Sequence, residues 1–253
     1  MTPYYQDAAV TLYHGDCREI LPQLRCPNTT YCLEACDGRC EPMVIVTDPQ
    51  YGINHPTDYH TRGRDALAAC SDYPRVHGDD APFDPLWLLD LNLPTILWGA
   101  NHYASRLPDS GGWLVWDKER PDLLDQATCE LAWTNFVKGV RRFRWLWNGM
   151  MKARPETLVH PTQKPLALMT WCLTLPWTPD GIVVDPYMGS GPTIEAAKLL
   201  GRRAIGIEIE EKYCYIAAKR LEQETLKFDE LVIESRHEME RRQIPLLDEG
   251  QEG

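Results

Sequence analysis

Residues 181–208 constrain the fold of this chain more than any other stretch. Gly181 to Val184 (GIVV) is a short apolar run that stops at Asp185, and DPYMGSG then turns the chain. Thr193 to Leu200 has helical composition with Gly201 behind it as a C-cap, and Ala204 to Ile207 is a second apolar run, stopping at Glu208. A strand buried on both faces reads as a continuous apolar run, not as an alternation, so the order strand, turn, helix, strand predicts a βαβ unit. The same pattern recurs along the chain. VTLY (10–13) is followed by HGD and the helix-like CREILPQL, and MVIVT (43–47) stops at Asp48. The helix-like PLWLLDLNL precedes the apolar PTILWG (94–99), LALMTWCLTL (166–175) reads as a helix, and another begins at Lys212 and runs to Leu221. Strands alternating with helices predict an α/β fold with a doubly wound, mostly parallel sheet. GGWLVWDK and RRFRWLWNG read as aromatic strands forming a hairpin-like outer part of that sheet. On such strands Trp145 and Trp147 share a face while Trp113 and Trp116 point oppositely, with core packing the role expected for most of the four.

Two strand-ending turns carry chemistry. In DPYMGSG (185–191), Gly189 and Gly191 let the backbone approach a ligand, the following helix N-terminus offers free N–H groups, and Pro192 suits the first helical turn. Glu208 ends the next strand, about where an acid meets ribose hydroxyls in nucleotide-binding βαβ units. A glycine-rich turn can also serve packing alone; Glu208 makes that less economical. The second turn is TDPQYG (47–52). An exocyclic amino group on a nucleobase is a poor nucleophile because its lone pair is delocalised into the ring. The Asp48 carboxylate and the Pro49 carbonyl can accept its two N–H hydrogens and draw the nitrogen towards tetrahedral geometry. Tyr51 offers a ring on which a base flipped out of the duplex can stack. A strand-ending Asp-Pro turn is by itself common.

Between the two turns lies His160-Pro161-Thr162-Gln163-Lys164-Pro165. With Asp48-Pro49-Gln50-Tyr51 before it and Asp185-Pro186-Tyr187-Met188-Gly189-Ser190-Gly191 after it, the chain resembles the β-class of S-adenosylmethionine-dependent DNA amino-methyltransferases over roughly residues 10 to 221, apart from a cysteine-rich insert and parts of the central loops. That class carries a D/N/S-P-P-Y/F motif, then H-P-T-Q-K-P, then D-P-F-x-G-S-G. The resemblance implies the Rossmann-like methyltransferase type of α/β fold and methyl transfer from S-adenosylmethionine to an exocyclic base nitrogen by direct in-line attack. It implies catalytic roles for Asp48, Pro49 and Tyr51. It places Asp185, Gly189 and Gly191 at the methionine side of the cofactor, Glu208 at its ribose, Thr162 and Lys164 near its carboxylate, and Asp16 at its adenine. Asp in front of Pro-Gln-Tyr favours adenine N6. Cytosine N4, an RNA or protein-amide acceptor, and an inactive cofactor-binding DNA-associated protein are the alternatives. Gln50 stands where the class has its second proline, which removes a backbone stiffener; Tyr187 replaces Phe and Pro192 replaces Thr. No Pro-Cys dipeptide occurs, which argues against the cysteine-nucleophile route of cytosine-5 methylation.

Double-stranded DNA is the implied partner, although the formal net charge is -11. From Glu222 onward ten acidic residues face four basic ones, so more than half of that excess lies in the tail. Basic clusters occupy the middle of the chain: Arg62, Arg64 and Arg75; Lys118 and Arg120; Arg141, Arg142 and Arg144; Lys152 and Arg154. Phosphate contact depends on local basic surface more than on net charge. The expected organisation is one catalytic domain over 1–235, with DNA-facing regions at about 54–82 (a long polar loop) and 102–158, and a frayed acidic tail over 236–253. No apolar run is long enough for a membrane span and MTPYYQDAAV lacks a charged-then-apolar leader pattern, so a cytoplasmic protein without a membrane partner is expected. The resemblance also admits a homodimer and a cognate restriction nuclease. Nine cysteines, an odd number, argue for reduced thiols. Four of them, Cys26, Cys32, Cys36 and Cys40 in an insert at 26–40, could hold a structural zinc, although their spacing has no C-x2-C knuckle.

Overall fold

The computed structural model describes residues 1–24, 41–54, 75–120, 127–148, 151–152 and 163–222. The four insert cysteines, Thr162, Arg62, Arg64, Arg154 and the acidic tail lie outside the described residues. A nine-stranded sheet forms the frame. Its strands are β1 (Tyr5–Gln6), β2 (Val10–His14), β3 (Met43–Thr47), β4 (Thr95–Trp98), β5 (Gly112–Asp117), β6 (Cys129–Thr134), β7 (Val140–Arg144), β10 (Ile182–Asp185) and β11 (Ala204–Glu208), arranged β1-β2-β11-β10-β3-β4-β6-β5-β7. A separate two-stranded ribbon joins β8 (Trp147–Asn148) to β9 (Met151–Lys152).

The apolar runs behave as buried parallel strands. β2, β11, β10, β3 and β4 are mutually parallel, and every residue of β3, β4 and β10 is buried. Their side chains divide between two layers. Val44, Val46, Ile96 and Trp98 pack with α3 (Leu166–Thr174), α4 (Pro192–Leu199) and α5 (Glu211–Glu222). Met43, Ile45 and Leu97 pack on the other face with α1 (Cys17–Gln23) and α2 (Leu86–Leu89). Fully burying a Val, Leu, Ile or Phe side chain contributes about 1.5–3 kcal/mol, so this two-sided run of strand residues dominates the stability of the frame.

The structure departs from several expectations. GGWLVWDK and RRFRWLWNG do not form a hairpin. β5 and β7 pair in parallel, Trp113 opposite Val140, and the antiparallel partner of β5 is β6, which starts Cys-Glu and carries no continuous apolar run. The helix expected in PLWLLDLNL is a single turn, Leu86–Leu89, because the chain turns back at Asn92 with φ 53°. Trp116, Trp145 and Trp147 are buried in the first layer, while Trp113 packs against the second.

Parallel order and connectivity fix where a ligand can sit. From β3 the sheet proceeds to β4 on one side, and from β10 to β11 on the other. The chain leaves in opposite directions at the β3/β10 boundary, and the crevice beyond the carboxyl ends of strands at such a boundary is where doubly wound sheets bind ligands.

Candidate active site

Both chemistry-bearing turns sit at this boundary. β3 pairs with β10 in parallel register, Ile45 opposite Val184, so Thr47-Asp48 and Asp185 emerge side by side. The Thr47 hydroxyl donates to Asp185 Oδ1 at 2.6 Å and the Tyr187 N–H to the same oxygen at 3.1 Å. Loss of hydration pushes the Asp185 carboxyl up to about 7 even with these donors.

The glycine turn is tied to the next strand. Gly191, at φ 84°, opens α4, and a Cβ there would lie 3.0 Å from the Ala217 Cβ on α5. Only glycine allows both the left-handed backbone and that approach. Pro192 occupies the first helical position as expected. Glu208 is half-buried; its Oε2 accepts the Gly189 N–H at 3.0 Å and its Oε1 the Glu210 N–H at 2.8 Å. Burial raises its pKa against those two donors. Asp16 ends up one strand over, since His14 lies opposite Glu208, and it caps α1 by accepting the Arg18 N–H at 2.8 Å.

The Asp48 turn is held more firmly than its sequence suggests. Gln50 removes the stiffness a second proline would give. Instead Asp79, buried, receives the backbone N–H groups of Tyr51, Gly52 and Ile53 on one carboxylate oxygen at 3.1, 2.8 and 3.3 Å. Asp79 belongs to the segment expected to be a long polar loop, and its role there is to fix the turn.

Four charged groups alternate through the pocket behind Asp48. Lys164 Nζ donates to Asp48 Oδ2 at 2.6 Å and to the Tyr51 hydroxyl at 2.9 Å, and it lies 3.1 Å from Glu130 Oε2. Lys118 closes the chain on Glu130 Oε1 at 2.6 Å. The Tyr51 hydroxyl in turn donates to Asp48 Oδ1 at 2.6 Å. The side chain of Lys164 is 5% exposed, so its charge persists only because it is compensated. Burial works against that charge, but Asp48 and then Glu130 outweigh it, and the Lys164 pKa ends above its ordinary value. Burial likewise opposes the Glu130 carboxylate; Lys164 and Lys118 overcome it and hold Glu130 at about 2. For Asp48, burial raises the pKa and Lys164 opposes the rise.

The Tyr51 ring is stacked on His102 with centroids 4.8 Å apart and planes 14° apart. A Cβ at Gly99 would fall onto the same ring at Cε1, so this turn accepts only glycine, and Gly99 has φ 70°. Desolvation lowers the His102 pKa, so its neutral form is favoured. Consecutive residues of the HPTQKP segment serve the two halves of the site. Gln163 Oε1 accepts from Ser190 Oγ at 3.2 Å in the glycine turn, while Lys164 turns to Asp48. Lys164, which the resemblance puts near a cofactor carboxylate, is therefore committed to the Asp48 side.

Glu130, Lys118, Asp79 and His102 join the site without any motif to mark them in the sequence, and Thr47, at the head of TDPQYG, joins it through its bond to Asp185. Lys118, expected among the phosphate-binding surface residues, has a side chain only 13% exposed and paired with Glu130. Arg120 also turns inward, donating to the Trp147 carbonyl at 3.2 Å. Arg141, Arg142 and Arg144 remain exposed on the edge strand β7, with Arg141 4.6 Å from the Trp177 ring centroid and Arg144 near Asp117 and Glu119. Among the described residues no group of three His, Cys, Asp or Glu could hold a metal, and no helix is long and apolar enough to cross a membrane.

Comparison with known proteins points the same way. The DNA methylase family model matches residues 96–219. The type II methyltransferase M.ScaI of Streptomyces caespitosus is 27% identical over 281 aligned positions, covering 88% of this chain and 84% of that protein. The type II methyltransferase M2.DpnII of Streptococcus pneumoniae is 40% identical over 86 residues, which are 33% of this chain and 32% of that protein. Among solved structures, the cytosine-N4-specific PvuII DNA methyltransferase superposes with a TM-score of 0.57 at 13% identity, covering 94% of this chain and 95% of that one, so the two share the Rossmann-like methyltransferase fold.

Proposed function

We propose that the chain is a DNA amino-methyltransferase, as its match to the DNA methylase family model and its likeness to type II methyltransferases support, and that it moves a methyl group from S-adenosylmethionine to the N6 amino group of an adenine flipped out of double-stranded DNA. The observation that carries this reading is the 2.6 Å bond from Thr47 to Asp185, which joins the Asp48 turn to the glycine turn at the switch point of the sheet. An amino-group acceptor and a nucleotide-type cradle are thereby adjacent.

The cradle suits the cofactor. Asp185, at the end of β10, has an oxygen to offer the methionine ammonium, and that cation would favour its charged form against the burial that raises its pKa. Glu208 has a carboxylate for the ribose hydroxyls, and it releases the Gly189 N–H when it takes them. When bound, S-adenosylmethionine supplies an electrophilic methyl group on a sulfonium. Asp48 accepts one amino N–H of the base and the Pro49 carbonyl the other, which frees the nitrogen lone pair for attack. Positive charge grows on that nitrogen during transfer, so a preorganised carboxylate binds the transition state more strongly than the ground state. The surplus proton on the methylated nitrogen is acidic and passes to water, so Asp48 need not act as a strong base. Tyr51 supplies the stacking surface, and the base exchanges with His102 as its ring partner.

Asp at the head of the catalytic motif supports adenine over cytosine. The names of the type II relatives support a role in marking a short recognition site for protection against a cognate nuclease. The test is to incubate the purified protein with methyl-labelled S-adenosylmethionine and unmethylated genomic duplex DNA, then digest to nucleosides. N6-methyldeoxyadenosine is the expected product. N4-methyldeoxycytidine would replace the acceptor, and label in neither would overturn the reading.

A further inference from the structure

Glu130 has a place in the pocket that neither a packing role nor a surface ion pair explains. It is the second residue of β6, the first strand beyond β4 to run against the parallel set. An antiparallel strand begins where its parallel neighbours end, so the start of β6 lies at the edge from which Asp48 emerges. Glu130 reaches Lys164 there at 3.1 Å, while Lys164 reaches Asp48 at 2.6 Å. Lys118, one residue past β5, is held beside it by the Lys118 N–H donating to the Thr128 carbonyl at 2.9 Å. The side chains of Lys118, Glu130, Lys164 and Asp48 are 13%, 20%, 5% and 18% exposed. Two cations and two carboxylates thus alternate in a row with no excess charge, and at this depth their attraction is only weakly screened.

We propose that Glu130 is a positioning residue for base methylation: by taking a share of the Lys164 ammonium, it keeps Lys164 from closing fully on Asp48, so that the Asp48 oxygens stay oriented and strong as acceptors for the base amino group. This rests on the functional reading above. With Glu130 absent, Lys164 has one carboxylate to serve and closes on it. The Asp48 oxygens then accept more weakly from the base, while the cofactor turn, which Glu130 does not touch, is unaffected. The row also sets the ionisation of Lys164. The groups facing it are Asp48 and Tyr51 from the turn after β3, Glu130 from β6 with Lys118 and Arg120 behind it, and His102 from the turn after β4. Removing the Glu130 charge lowers the Lys164 pKa. Removing the Lys118 charge leaves all of Glu130 to Lys164 and raises it.

The experiment is single-turnover methyl transfer to duplex DNA at saturating cofactor for wild type, Glu130→Gln and Glu130→Asp, with DNA and cofactor affinities measured alongside. Glu130→Gln should slow transfer at least about 10-fold, the order of loss when a group orienting a reactive side chain is removed. The loss should fall on the transfer rate, with DNA affinity and cofactor affinity by calorimetry unchanged, and Glu130→Asp, which keeps the carboxylate, should recover part of it. A purely structural role predicts no such split and no rescue by the shorter acid. If wild type methylates DNA and Glu130→Gln matches it in rate, the positioning role is refuted and the functional reading stands. Should Glu130→Gln fail to fold, a Glu130→Asp protein that loses DNA affinity along with the rate refutes the role. If wild type transfers no methyl to DNA, the functional reading falls and this one with it.

Discussion

Replacing Lys164 by Met isolates the electrostatics of the pocket. The substitution keeps the length of the side chain and deletes an ammonium that is 5% exposed and lies 2.6 Å from Asp48 and 3.1 Å from Glu130. Removing one partner of a buried ion pair costs about 3–5 kcal/mol. Glu130 retains Lys118 at 2.6 Å, so the uncompensated charge falls on Asp48 and the low end applies, about 3 kcal/mol. At 1.36 kcal/mol per pKa unit, that raises Asp48 by about 2 units beyond wild type. An acid whose folded pKa lies above its unfolded value of about 3.9 is favoured by folding in its protonated form. The cost of Lys164→Met should therefore be small below the unfolded pKa of about 3.9, where Asp48 is protonated in both states. It should grow as pH rises from there to the new folded pKa and be at its full size above it. Urea unfolding at about pH 5 and pH 8 reads this directly. Single-turnover transfer in the variant should be weakest at low pH and recover as pH rises and Asp48 ionises. A stability loss equal at both pH values, or below about 1 kcal/mol at the higher one, would refute the assignment of Lys164 as the counter-charge of Asp48.

Gly99→Ala should destabilise the protein and weaken DNA capture with cofactor affinity intact, because the added Cβ meets the Tyr51 ring and the backbone there has φ 70°; unchanged binding of DNA carrying a flippable fluorescent base would contradict that. Tyr51→Phe keeps the ring but removes the 2.6 Å bond to Asp48, and it should lower the transfer rate more than the affinity for DNA, as separate kcat and KM measurements would reveal. Neutralising Arg141, Arg142 and Arg144 together should reduce the salt dependence of DNA binding, the slope falling by up to about 0.9 for each phosphate that is no longer neutralised. An unchanged slope would make β7 ordinary solvated surface.

What can be read from the residues alone has a physical pattern. β3, β10 and β11 announce themselves because a strand buried on both faces must be apolar throughout. Asp48, Asp185 and Glu208 announce themselves because each stops such a run. Glu130 does not, because it is the second residue of β6, whose partner and register depend on β4 and β5 and not on any local period. Lys118 resembles a phosphate ligand for the same reason: a cation in sequence shows its charge but not the carboxylate that pairing across β5 and β6 brings to it. Asp79 lies 28 residues from the Tyr51 N–H it accepts, and His102 meets Tyr51 only because the chain turns tightly after β4. A signal for Glu130 does exist in principle. It is the one charged residue on the strand CELAWT, and a half-buried acid of that kind needs a cation beside it.

The proposed chemistry turns on Asp48, and its removal is the sharpest experiment. In a single-turnover assay with duplex DNA, Asp48→Ala should transfer methyl at least ~100-fold more slowly than wild type, the order of loss on deleting a preorganised group that acts in the transition state. Cofactor affinity should be nearly unchanged. A variant rate close to that of wild type would contradict the claim that the Asp48 carboxylate activates the base amino group.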